Sequence, residues 1–389
     1  MPSVVELINA SMPTIKKSVD LTLSSLSSTG ELIVDGNPDP ALNRFFPFVN
    51  YDDDVLAMLK FRTYKPTLGY VVATDGEVPV DRERVTISQE LFGNFKLAKS
   101  RMITEEDMNV ARRAEMLALS GSLQAAEKIR DTFLAIPSQL TQGVLNLHTV
   151  LTIQTACVGF CNYLDPTSGI TANLSYTQQI PAGNFAPTLT GNARWSQWTT
   201  ATGIDDIVNH MNAIYTNIRR FLPYIVMSRT EANNLRNQTS TKDIVYRAKG
   251  MITEVGTQSI PAMTNLEPPT LSEIGDVIGK RLLAGGGQQG TVEIIVTDAV
   301  YFVRGAGILG TQTLSYVPPG YYFFASDAYI ERAIVPTASN NYAGGLVTST
   351  EVLKKEPPQE SVTVAGRGFP LVPDPRLIAS RNVENTALV

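Results

Sequence analysis

Residues 70–87, YVVATDGEVPVDRERVTI, limit what this chain can fold into more than any other stretch. Their pattern predicts a strand, a tight turn at Asp75-Gly76 and a second strand. On the returning half Asp81, Arg82, Glu83 and Arg84 stand in a row. A two-stranded ribbon is marginal alone in water, and four alternating charges cannot enter a core without a large desolvation cost. With side chains alternating along a strand, Val71, Ala73, Val85 and Ile87 fall on one face. That face needs a surface and the charges need partners. The expectation is that a neighbouring subunit supplies both, with Val71, Asp75, Asp81, Arg82, Glu83, Arg84, Val85 and Ile87 as interface residues.

The remaining sequence is ordinary for a globular protein. At 389 residues, 43% hydrophobic and 18% charged, it is long enough for two or three domains with real cores. A net charge of −5 does not mark the surface as a whole for nucleic-acid binding. Neither the acidic run Asp52-Asp53-Asp54 nor the basic group Lys96, Lys99 and Arg101 is large enough to change that. The two cysteines, Cys157 and Cys161, lie four apart in a segment that reads as helix. Helical neighbours are poorly aimed for a disulfide, so buried reduced thiols are expected. Met1–Leu7 has no basic start leading to an apolar run and cleavage site. No uninterrupted apolar run reaches the length of a membrane span. These features predict a chain that begins in a reducing cytoplasm.

Turn chemistry dominates GELIVDGNPDPALN, and the apolar RFFPFVN after it reads as an anchoring point for an extended N-terminal arm. QELFGNFKLAKSRMI closes the ribbon and returns toward the body. Thr104 with Asp107 three positions on forms a capping box. From Leu123 to Phe160 the apolar spacing is mostly helical, through Ala126, Ile129, Phe133, Leu140, Val144, Leu147, Leu151 and Ala156. Pro137 is expected to break or kink it, with Ser138 as a cap for the second half. A strand follows the turn at Asp165–Gly169, alternating Ile170, Ala172, Leu174 and Tyr176. GIDDIVNHMNAIYTNIRRFL is an amphipathic helix with Asp205 and Asp206 in its first turn, where the dipole favours them. PYIVMS reads as a buried strand, RTEANNLRNQ and PTLSEIGDVIGKRL as helices. TVEIIVTDAVYFV, GYYFFAS, AIVP, VTSTEVLKK and PRLIASRNV read as strands. The fold class is α+β.

No motif carries recognisable chemistry. Phosphate cradles run from a strand through glycines into a helix N-terminus, whereas a helix precedes Gly285-Gly286-Gly287 and a strand follows. His148, His210, Cys157 and Cys161 are the soft metal-ligand types, and none has a zinc-site spacing. There is no nucleophile elbow. Asp205 and Asp206, being adjacent, point in different directions on a helix and suit a helix start. Trp195 and Trp198 suit packing against the following helix better than ligand stacking. No enzyme and no cofactor is expected.

The order of these parts resembles the major capsid proteins of tailed phages, the Hong Kong-97-like fold, and more narrowly the lambda-type capsid protein E family. DPALNRFFPFVN resembles the family's arm, and GYVVATDGEVPV the ascending half of its extended loop. LTIQTACVGFCNYLDPTSGITANLSY resembles the end of the spine helix and the strand after it. WTTATGIDDIVNHMNAI followed by YIVMSRTEANNLRNQ resembles the opening of the axial domain, and VPPGYYFFASDAYIERAI its closing strand. STEVLKKEPPQESVTVAGRGFPLVPDPRLIASRNV resembles the C-terminal run.

The resemblance implies an N-terminal arm (1–60), an extended β-hairpin loop (61–103) and a peripheral domain with a spine helix (104–203). It further implies an axial domain (204–340) and return strands to the peripheral domain (341–389). It implies self-assembly as hexamers and pentamers into an icosahedral shell around double-stranded DNA, with scaffold, portal and decoration proteins as partners. Assembly would occur in the host cytoplasm and the product would be the virion capsid. Two other readings stay open at this level: an encapsulin-like nanocompartment shell, and a soluble hydrolase or ligand-binding protein.

Overall fold

A computed structural model describes residues 33–34, 37–38, 40–50, 55–61, 87–93, 95–104, 106–107, 109–110, 113, 116, 136–164, 171–250, 266–284, 291–297, 300–304, 311–315, 317–335, 347–355 and 358–386. In chain order the elements are β1 (Ile33–Val34), β2 (Asn37–Pro38), α1 (Pro40–Phe45), β3 (Phe48–Asn50), β4 (Val55–Phe61), β5 (Ile87–Gly93) and β6 (Phe95–Ile103). Then come α2 (Ile136–Val158), β7 (Phe160–Leu164), β8 (Thr171–Ser175), β9 (Phe185–Ala186), α3 (Gly203–Ile218), β10 (Tyr224–Ser228), α4 (Arg229–Asn237), α5 (Thr239–Ala248) and α6 (Leu271–Ala284). The remainder is strand: β11 (Glu293–Thr297), β12 (Val300–Arg304), β13 (Thr311–Ser315), β14 (Tyr321–Ala325), β15 (Glu331–Val335), β16 (Val347–Lys355), β17 (Pro358–Leu371) and β18 (Ser380–Asn382). The chain is α+β.

Two five-stranded sheets organise the molecule. The first has the order β11-β10-β14-β18-β9. Its central strand β14 reads YYFFA, an apolar run without alternation, as expected of a strand covered on both faces. All five residues are buried. Tyr322 and Phe324 face α3, where His210 lies against both rings. Phe323 meets Phe46 of the arm and Tyr329.

The second sheet runs β16-β17-β15-β3, with β6 on the other side of β17. β17 is 14 residues long. It pairs with all nine positions of β6, from Gly368 opposite Phe95 to Glu360 opposite Ile103. Val362 and Val364 are buried on one face of this ladder, toward α2.

Helix α2 joins the two sheets. It has 23 residues and packs on β17, β6 and β7, and also on β14 and β18. From His148 to Cys157 nearly every residue is buried, which a helix covered on several sides requires. Its threonines fit that setting because Thr149, Thr152 and Thr155 return their hydroxyls to the carbonyls of Leu145, His148 and Leu151 at 2.8–3.0 Å. At the expected break a helix starts, and residues 123–135 before it lie outside the described residues. Pro137 sits in the first turn, where its missing N–H forfeits no bond. The helix ends at Gly159, with φ of +75° and its N–H on the Thr155 carbonyl.

That ending corrects the reading of Cys161. It lies on β7, not on the helix that holds Cys157, so the two thiols are not helical neighbours. Both are free and buried, as expected. Burial pushes the Cys161 thiol up to about 11 and raises that of Cys157 as well.

A close approach fixes α6. A Cβ on Gly275 would collide with the carbonyl oxygen of Val292. Gly275→Ala gains about 1 kcal/mol of helix propensity but forces helix and strand entry apart, at about 1–3 kcal/mol. The expected result is a net loss of stability in a denaturant titration. An unchanged or higher midpoint would show that α6 is free to move off the strand.

Candidate assembly surfaces

β4 and β5 pair antiparallel, from Val55 opposite Gly93 to Phe61 opposite Ile87, and pair with no other described strand. Only Asn94 separates the end of β5 from the start of β6, which is bound into the β17 ladder. Of the eight candidate interface residues, Val71, Asp75, Asp81, Arg82, Glu83, Arg84 and Val85 lie outside the described residues. Ile87 opens β5.

The apolar segment RFFPFVN is anchored in the core as the sequence suggests. Phe45 and Phe46 are buried, and β3 joins the second sheet parallel to β15, with Phe48 opposite Arg332. Arg332 is fully buried, which demands hydrogen bonds for its charge. Its Nε donates to the Phe46 carbonyl at 2.6 Å and its Nη1 to the Thr149 hydroxyl at 2.9 Å. Its guanidinium lies 3.6 Å from the centroid of the Phe48 ring. One side chain thus ties β15 to the 46–48 segment and to α2. His148, on the same helix, is buried beside it. Burial, reinforced by the Arg332 charge, pulls His148 down to about 3 against a weaker pull upward from the Phe369 backbone. At the surface, Arg44 holds Asp327 at 2.6 Å and donates to the Tyr224 hydroxyl, so α1 is clamped to the first sheet.

A second polar network pins the C-terminal segment. Asp206 accepts from Trp195 Nε1 at 3.2 Å and from Arg381 Nη1 at 3.1 Å, while Asp205 pairs with Arg281. The two aspartates therefore serve different partners and do not form a carboxylate pair. His210 Nε2 lies 2.9 Å from the Asn184 carbonyl and Nδ1 lies 3.0 Å from the Tyr322 hydroxyl. A carbonyl only accepts, so Nε2 carries the proton and Nδ1 accepts from Tyr322. Burial lowers His210 to about 4. Glu231 is also buried, accepting from the Gly320 N–H at 2.8 Å and from Ser228, and burial raises its carboxyl. Glu384 accepts from the N–H and hydroxyl of Ser196 at 2.6 and 2.7 Å.

Apart from His148, whose ring nitrogens are buried without a hydrogen-bond partner among the described residues, these titratable groups are committed to structural bonds. Among the described residues no three His, Cys, Asp or Glu side chains gather as a metal site, and no helix is long and apolar enough to cross a membrane. The glycine run 285–287 lies outside the described residues. Trp195 is buried and stacks on Tyr322 at 5.3 Å, as packing predicts. Trp198 is not: it is 49% exposed, with its indole N–H on Asn234 at 3.1 Å.

No protein-family model and no curated protein sequence matches the chain. Several solved structures are similar to it over most of the chain. A phage-related protein from Bordetella bronchiseptica is 12% identical with a TM-score of 0.44, the alignment covering 96% of each chain. The mature capsid of bacteriophage PhiM1 is 14% identical with a TM-score of 0.42, covering 89% of this chain and 87% of the other. A virus-like particle from Pyrococcus furiosus is 11% identical with a TM-score of 0.41, covering 95% of this chain and 98% of the other.

Proposed function

We propose that this chain is the major capsid protein of a tailed phage, a structural subunit that assembles as hexamers and pentamers into an icosahedral shell around double-stranded DNA. One observation carries the reading. β4 and β5 pair only with each other among the described strands, yet their continuation β6 is locked along its whole length into the β17 ladder. A two-stranded pair is marginal by itself. Mounted on so firm a base, it suits a projection that finds its cover on another copy.

In this reading residues 1–60 form the arm, 61–103 the extended loop, 104–203 the peripheral domain, 204–340 the axial domain and 341–389 the return strands. β16 and β17 share a sheet with β6, while β18 shares a sheet with β14, which supports a return segment that runs back across the earlier parts of the chain. Scaffold, portal and decoration proteins are the partners, contact with the packaged DNA is non-specific, and the particle forms in the host cytoplasm. The chain performs no catalysis, and its buried acids and His210 hold segments together.

Purified full-length protein viewed by negative stain, with its mass in solution measured alongside, tests this. Closed shells or rings of subunits are expected, with DNA as the content of particles recovered from an infected host. Cargo enzymes in place of DNA would favour a nanocompartment, and a compact monomer at high concentration would refute both. The interface role of Asp81, Arg82, Glu83 and Arg84 has its own test. Replacing all four by alanine leaves a soluble subunit with an unchanged unfolding midpoint and lowers shell yield about tenfold, the equivalent of ~1.4 kcal/mol per subunit. Normal yield would remove these residues from the interface.

A further inference from the structure

We propose that the two ends of α3 are the two halves of a head-to-tail contact between copies of this chain, with Trp198 as the anchor of one half and the Arg219-Arg220 turn as the other. This rests on the shell reading above and names a contact within its rings.

The chain has two tryptophans. Trp195 is fully buried, whereas Trp198, three positions on, leaves 49% of its surface in water. That exposure is not looseness. The Trp198 indole donates to Asn234, its carbonyl accepts from the Thr239 N–H at 2.8 Å, and Trp195 is fixed by Tyr322 and Asp206. A side chain already held in place loses little entropy when a partner covers it. Hydroxyls of Ser196, Thr199 and Thr200 are exposed nearby, and the Glu384 carboxylate is fixed on Ser196. A rigid aromatic plate with a polar rim has the anatomy of an interface hot spot.

The other end of α3 has complementary chemistry. The helix stops at Arg219, whose φ of 54° and ψ of 28° are left-handed, with its N–H on the Tyr215 carbonyl. Glycine is the low-cost residue at such a cap, and an L-residue there costs on the order of 1 kcal/mol. The sequence instead places Arg219 and Arg220 at this turn, both exposed. A helix of 16 residues is about 24 Å long, so this turn cannot reach Trp198 of its own chain. A guanidinium is the cation best suited to an indole face beside a carboxylate, since it can stack on one and pair with the other. The occupant of the Trp198 patch is therefore the Arg219-Arg220 turn of a second copy. Contacts between two different patches of identical chains close into rings when the rotation allows, as a hexamer requires.

Acrylamide quenching of tryptophan emission tests this on the full-length chain. In dissociated subunits Trp198 is quenched and Trp195 is not; in assembled particles both are shielded. Arg219→Glu with Arg220→Glu lowers assembly at least about tenfold, ~1.4 kcal/mol, and leaves Trp198 quenchable, with no change in the unfolding midpoint. Trp198→Ala gives the same loss, and should that variant fold poorly, the arginine variant and the wild-type quenching decide. Wild-type particles whose Trp198 stays as quenchable as in the subunit overturn the contact and leave the shell reading standing. An arginine variant that assembles and shields Trp198 normally overturns it too. A monomer that forms no particle, with Trp198 quenchable at every concentration, overturns both.

Discussion

Arg332→Ala is expected to be the most damaging single substitution in the described part of the molecule. The change strips the Phe46 carbonyl and the Thr149 hydroxyl of their donor, uncovers the Phe48 ring and leaves a void between arm, sheet and helix. Buried acceptors left unsatisfied cost about 1–3 kcal/mol each, and truncating a large buried side chain adds a cavity penalty. A loss of about 4 kcal/mol or more follows, read as a large drop in the denaturant midpoint. Arg332→Met separates the causes: it restores much of the volume without the donors, and recovers only part of the loss. A methionine variant as stable as the wild type would show that volume alone mattered. Arg332→Lys keeps the charge but not the planar fork, and is expected to fall between.

The second large effect is on acid stability. His148 and His210 are held to about 3 and about 4 in the folded chain, chiefly by burial. In the unfolded chain both titrate near 6.5. Their contribution is complete above that value. As pH falls through about 6.5 the unfolded chain takes up protons that the folded chain refuses, so stability declines. The decline from His210 ends near pH 4 and that from His148 near pH 3, on the order of 3 kcal/mol or more apiece. Below its value, protonated His210 also loses its acceptor, so its bond from Tyr322 fails. Asp206 and Glu231, raised by burial, act with the opposite sign toward the lower end of this range. The histidine variants therefore isolate the effect: His148→Gln with His210→Gln flattens the profile between pH 7 and 5. Equal slopes in wild type and double variant would contradict the assignment.

How much of the molecule was legible in the sequence depends on where each signal lies. α3 could be read because Ile204, Ile207, Met211 and Ile214 recur at helical spacing and all four are buried. The arm anchor was legible in RFFPFVN because three aromatics in four positions have few places to go except a core. The capping box at Thr104 and Asp107 is present, with bonds of 3.0, 3.0 and 3.4 Å. α5, TSTKDIVYRA, was not expected, because it is polar and is stabilised by packing on α3, α4 and α6. Running the helix through to Phe160 overlooked Gly159, whose place after Val158 is a stop signal in plain view. The exposure of Trp198 could not be foreseen at all. Spacing says that an aromatic sits before a helix, and says nothing of the bond to Asn234 on α4 that holds the exposed ring. Arg332 was missed for a related reason: a lone arginine in a strand reads as surface until its neighbours are known.

The position of β18 has a consequence for timing. It lies between β14 and β9, so an inner slot of the first sheet stays empty until residues 380–382 are made. Synthesis proceeds from the N-terminus, and contacts this far apart in sequence form late. A ribosome-bound fragment ending short of that point lacks a finished first sheet, so β14 and β9 stay unjoined and this part of the core closes only after residue 382 has been made.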